Sequence, residues 1–94
     1  MTDIVKLVAR VGDREITVRG RDAETLHRLI EAGDQGVSGI ERVGPRLSHY
    51  IFKLRRSGFG IVTFEEKHGG AFAGYHGRYK LISQVEVIGR EFAS

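Results

Sequence analysis

The chain has no cysteine, one proline and, from Arg42 to Phe64, no acidic residue at all. Without cysteine there are no disulfides and no thiolate metal sites, which fits a reducing compartment. No apolar run approaches the ~20 residues that span a bilayer, and Met1-Thr2-Asp3 lacks the basic start of a secretory signal. A cytoplasmic protein that does not enter a membrane is expected. The four histidines (His27, His49, His68, His76) show no ligand spacing, so neither a metal nor a cofactor is expected. Ser48 and His49 are helix neighbours that point apart, and no acid pair occupies a plausible cleft, so no enzyme is expected. The glycines of GGAFAGYHG do not follow a strand and open a helix, so they make no phosphate-binding fingerprint.

What the chain does have is a folded composition and an uneven charge. Its 94 residues suffice for one domain, and 40% of them are hydrophobic, including five Phe and three Tyr. The net charge of +3 is concentrated: residues 42–85 carry +6, residues 1–41 carry −2 and residues 86–94 carry −1. The acid-free window from Arg42 to Phe64 contains five bases, Arg42, Arg46, Lys53, Arg55 and Arg56. A basic middle on a near-neutral frame suggests a directional contact with a polyanion, although an ordinary solvated surface gives the same balance.

Alternation of apolar and polar residues predicts a β-hairpin over residues 4–19. Gly12-Asp13 supplies a two-residue turn of type II′, opposing Arg10 to Glu15, Ala9 to Ile16 and Leu7 to Val18. Asp22 is the expected N-cap of a first helix, with Leu26, Leu29 and Ile30 on one face and Gly33 beyond its end. Ser38-Gly-Ile-Glu41 has capping-box spacing and opens a short second helix ending near Val43-Gly44, weakened by Gly39. Pro45 presets the first turn of a third helix, 45–57, which Ser57-Gly58 closes. Leu47, Tyr50, Ile51 and Leu54 form its apolar stripe; His49, Phe52, Lys53 and Arg56 lie opposite. Strands are expected at Ile61–Lys67 and Arg78–Ser83 around the loop HGGAFAGYHG. Gln84–Ile88 either continues the second of them or forms a separate edge strand.

A short helix meeting a basic helix at a Gly-containing turn is a helix-turn-helix, and the hairpin after it is a wing. Residues 23–83 resemble the small winged-helix domains found as short open reading frames in bacteria and their phages. The resemblance rests on ETLHRLIEAG, on VSGIERVGPRLSHYIFKLRRSGFGIVT and on RYKL. Its most specific block runs from Arg46-Leu47-Ser48 through Ile51 and Leu54-Arg55 to Gly58-Phe59-x-Ile61. It implies an α+β winged helix-turn-helix: three helices over 22–57, a C-terminal β-hairpin wing over 61–83, and DNA binding. The N-terminal hairpin lies outside that pattern, and a single domain is expected over 1–94.

On this reading the third helix enters the major groove of double-stranded DNA, with Arg46, Ser48, His49 and Lys53 against base edges. Arg55 and Arg56, at the helix end, meet phosphates or simply favour the helix dipole. On the wing, Lys67, Tyr75, His76 and Arg78 suit a backbone or minor-groove contact, and an ordinary polar loop explains them equally well. Phe52 contacts a thymine methyl, covers the wing or packs on a second subunit. The expected protein is a small transcriptional regulator, reading DNA as a homodimer. The alternative is a winged-helix protein-interaction module, such as a phage-encoded protein that binds and modulates a host protein; fold alone does not choose between them.

Overall fold

A computed structural model describes residues 3–38, 47–68 and 74–93, with the backbone alone at residues 66–68 and 74–76. The hairpin forms as expected from β1 (Ile4–Val11) and β2 (Arg14–Arg19). Gly12 adopts φ 63° at the turn, a conformation that favours glycine. The short turn fixes the register, so Arg10 opposes Glu15, Ala9 opposes Ile16 and Leu7 opposes Val18. Leu7, Ala9 and Val18 are buried on one face, and Glu15, Thr17 and Arg19 are exposed on the other.

The last strand, β6 (Glu86–Phe92), pairs antiparallel with β1 to give the order β2-β1-β6. Of the two expectations for Gln84–Ile88, the separate strand is the one found, and it starts at Glu86. It joins the N-terminal hairpin and not the wing. Arg10 therefore bonds Glu86 across this pair, at 3.1 Å, although Glu15 lies opposite it on its other side. Ala93 N–H extends the pairing to Asp3 O at 2.8 Å.

Helix α1 (Arg21–Ala32) opens two residues earlier than expected: its N-cap is Gly20, and Asp22 lies inside the first turn. Gly20 takes φ 63°, donates its N–H to Val5 O and accepts from Glu24 N–H. That backbone turn replaces a side-chain cap and leaves the Asp22 carboxylate for another partner. Ala23, Leu26 and Leu29 are buried at helical spacing, together with Thr25, whose hydroxyl donates to Arg21 O at 2.8 Å. Gly33 ends the helix as expected.

A 3₁₀ turn, Gly33–Gln35, leads through Gly36 into β3 (Val37–Ser38). Ser38, the expected cap of a second helix, closes this short strand opposite Arg78, next to the buried, β-branched Val37, which pairs with Tyr79. Among the described residues there are two α-helices and not three. The rest of the expected second helix, from Gly39 through Glu41 to Val43-Gly44, and the Pro45-Arg46 start of the third lie outside the described residues.

The expected third helix is α2 (Leu47–Ser57). Gly58 N–H bonds Arg55 O and Phe59 N–H bonds Leu54 O, both at 3.1 Å, which is the Schellman pattern. Gly58 has φ 117°, and the following Phe59 is buried with Leu54, the apolar contact that accompanies this ending. Ser57-Gly58 thus stops the helix where expected.

β4 (Ile61–His68) and β5 (Gly74–Leu81) form the wing, and β3 adds to β5 to give the order β3-β5-β4. β5 begins four residues earlier than the expected Arg78 and ends two before Ser83. His76 and Tyr75 oppose Glu66 and Lys67, so much of the expected loop belongs to the ladder. At the other end Ile82 N–H bonds Gly60 O at 2.9 Å, and Ser83 Oγ accepts from Gly60 N–H at 2.7 Å, which turns the chain away from β4. Leu7, Leu26, Leu29, Ile51, Leu54 and Phe59 are fully buried in one core that joins both sheets to both helices.

Candidate nucleic-acid interface

Helix α2 is seated by Leu47, Ile51 and Leu54, spaced four and three residues apart and all buried, with Tyr50 half-buried beside them. The expected apolar stripe is therefore correct. Turning away from it are Ser48, His49, Phe52, Lys53, Arg55 and Arg56, all exposed. Ser48, Phe52 and Arg56 follow one another at four-residue intervals along one row, and His49 flanks that row.

The bases on this helix do different jobs. Lys53 Nζ lies 3.0 Å from Asp22 Oδ2 on the first turn of α1. Arg55 turns to the wing: Nε and Nη2 donate to Ile61 O at 2.9 and 2.7 Å, and Nη2 also donates to Thr63 Oγ1 at 2.7 Å. These bonds fasten the helix to the start of β4. Arg56 has no carboxylate partner among the described residues; its guanidinium stands over the Phe52 ring, 5.8 Å from the centroid. That distance is within the range of a cation–π contact. Phe52 is still 55% exposed beside this guanidinium.

The wing bases are likewise divided. Arg78 Nη1 donates to Gln35 O at 2.8 Å, which binds β5 to the 3₁₀ turn. Lys80 Nζ lies 3.3 Å from Asp34 on the same turn, but that carboxylate is 98% exposed and the pair adds little. Lys67, Tyr75 and His76 lie on paired backbone toward the far end of the hairpin; their side chains, like all of Arg46, lie outside what is described.

Two relevant residues carry no local signal in the sequence. Asp22 looks like a helix cap and serves as the partner of Lys53. Arg14, at the start of β2, lies beside the end of α2: a Cβ placed on Gly58 would come 3.1 Å from Arg14 Nη1 and 3.4 Å from Ile16 Cδ1. The N-terminal hairpin thus brings an exposed base next to the last turn of α2, where helix carbonyls favour positive charge.

A two-stranded wing following a helix whose exposed row is set beside it, with a short strand between the helices closing the wing's sheet, defines a winged helix-turn-helix. The family model for the winged helix domain matches residues 15–91, and the chain belongs to that family. No curated protein and no solved structure gives a significant match to the chain. The match begins within the N-terminal hairpin, at the residue after Arg14, and extends through most of β6. Among the described residues no helix is long and apolar enough to cross a membrane, and no group of three or more His, Asp or Glu is placed to hold a metal ion.

Proposed function

We propose that this protein binds double-stranded DNA with the exposed row of α2 in the major groove and the wing against the backbone, acting as a small transcriptional regulator. One observation carries the reading: α2 presents Ser48, His49, Phe52 and Arg56 outward with no carboxylate among them, on a helix held rigidly by its buried side. The row from Ser48 to Arg56 covers about 12 Å at 1.5 Å per residue, close to the width of the major groove. Donors on this row suit base-edge acceptors, and Arg56 at its end suits a phosphate. Lys53 and Arg55 act chiefly by fixing the orientation of the helix, one toward α1 and the other toward the wing. Arg46 precedes the row, and Lys67, Tyr75 and His76 extend toward the wing tip, where backbone contact is proposed.

Charge reversal on two faces tests this with a labelled duplex in fluorescence anisotropy. Arg56→Glu, on α2, is expected to weaken binding at least about tenfold, since it removes one phosphate contact and adds repulsion. Arg19→Glu, on the outer face of β2, is expected to change affinity less than about twofold. Equal losses from both variants would remove α2 from the interface.

A second reading is favoured by a separate observation: Phe64 on β4 and Ile82 after β5 are 50% and 58% exposed. Apolar side chains on a wing suit a protein partner, either a host protein or a second copy of this chain that gives the homodimer used by many DNA readers.

A further inference from the structure

We infer that Phe52 is a specificity-determining residue that reads the 5-methyl group of thymine, an inference that rests on the DNA-binding reading above. The phenyl ring stands in the middle of the outward row, one turn from Ser48 and one turn from Arg56. It is 55% exposed, while the core beneath it is already filled by Leu47, Ile51 and Leu54. Removing it would leave no cavity.

The surroundings decide what kind of apolar group it meets. A protein-docking patch needs apolar neighbours around its centre, whereas here the adjacent outward residues are Ser48, His49 and Arg56, each a hydrogen-bond donor. A phenyl flanked along its helix by donors matches a surface on which a methyl is flanked by acceptors. The thymine edge in the major groove is such a surface, with its C5-methyl beside O4 and the N7 and O6 acceptors of neighbouring purines. No residue of α2 carries a carboxylate that would repel phosphates.

Arg56 adds orientation. Its guanidinium lies 5.8 Å from the ring centroid, stacked on one side, so the opposite side and the edge of the ring remain for the base. Phe52 thus confers a preference for thymine, or for a methylated cytosine at the same position, over unmethylated cytosine.

The test uses deoxyuridine, which removes the methyl and nothing else. A randomised 20-bp duplex pool is put through repeated rounds of selection with the wild-type protein. The best-bound duplex is then resynthesised with dU in place of dT, one position at a time. For at least one thymine the wild type is expected to bind the dU duplex about fourfold more weakly, the size of one buried methyl group. Phe52→Ala, whose fold is checked by circular dichroism, is expected to bind the dT and dU duplexes equally, and Phe52→Leu is expected to retain part of the preference. A selected duplex that the wild type binds equally well with dU at every position overturns the inference and leaves the DNA reading standing, as does undiminished methyl preference in Phe52→Ala. If no duplex is enriched and none binds, the DNA reading itself fails and the inference fails with it.

Discussion

Lys53 Nζ on α2 is 3.0 Å from Asp22 Oδ2 on α1, and this pair holds the two described helices together at their exposed margin. The carboxylate is 19% exposed and the ammonium 47% exposed, while Asp22 Oδ1 is buried with no hydrogen-bond partner. A lysine that the charge pattern marks as a base reader is therefore already engaged within the fold.

Lys53→Ala is accordingly expected to act on stability first. With one partner half in solvent, the loss should be about 0.5–1 kcal/mol, read as a fall of several degrees in Tm. A double-mutant cycle with Asp22→Asn should give a coupling of that size. DNA affinity in folded Lys53→Ala should fall less than in Arg56→Ala, and the reverse order would return Lys53 to the base-reading row.

Arg55 permits a sharper separation of roles. Its guanidinium uses two nitrogens on Ile61 O and Thr63 Oγ1, a fork that a lysine ammonium cannot reproduce. Arg55→Lys keeps the charge and is expected to cost about 1–2 kcal/mol in denaturant unfolding. A phosphate contact would tolerate the exchange, so unchanged stability in Arg55→Lys would reassign the residue to DNA.

These two residues also show what could be read from the sequence and what could not. The hairpin register followed from Gly12-Asp13 and strict alternation, and the seating of α2 followed from Leu47, Ile51, Leu54 and the Gly58 stop, because both depend on neighbours along the chain. The bases of the positively charged stretch 42–85 are divided by contacts with distant segments: Lys53 finds a carboxylate on another helix, and Arg78 finds a carbonyl on the 3₁₀ turn. β6 finds β1 from the opposite end of the chain. Local periodicity marks QVEVI as strand-forming, but it carries no information about which sheet edge will accept it. Ser38 shows the same limit: capping-box spacing marks it as the start of a helix, and only the fold shows that it also pairs with Arg78 of β5.

Among the described glycines, Gly36 is the one where an added Cβ would come nearest to another atom. Its φ is 68°, and a Cβ there would lie 2.5 Å from the backbone oxygen of Tyr79. Gly36→Ala is expected to destabilise by about 2–4 kcal/mol, from left-handed strain and from displacement of β5. Gly12 has a similar φ of 63° but open space around it, so Gly12→Ala should cost only about 1 kcal/mol. Thermal melts of the two variants check the contrast, and equal losses would mean that the approach of β5 to Gly36 is not constraining.

The most direct test of DNA binding is an anisotropy titration of the wild-type protein against a labelled random-sequence duplex over a range of salt concentrations. With Lys53, Arg55 and Arg78 engaged by contacts within the fold, about three phosphates are expected to be neutralised, by Arg56 together with two of Arg14, Arg46 and Lys67. Binding should then be measurable at about 50 mM salt, with log affinity falling against log salt at a slope of about −3. No binding at that salt concentration, or an affinity that does not change with salt, would contradict a DNA interface on α2 and the wing.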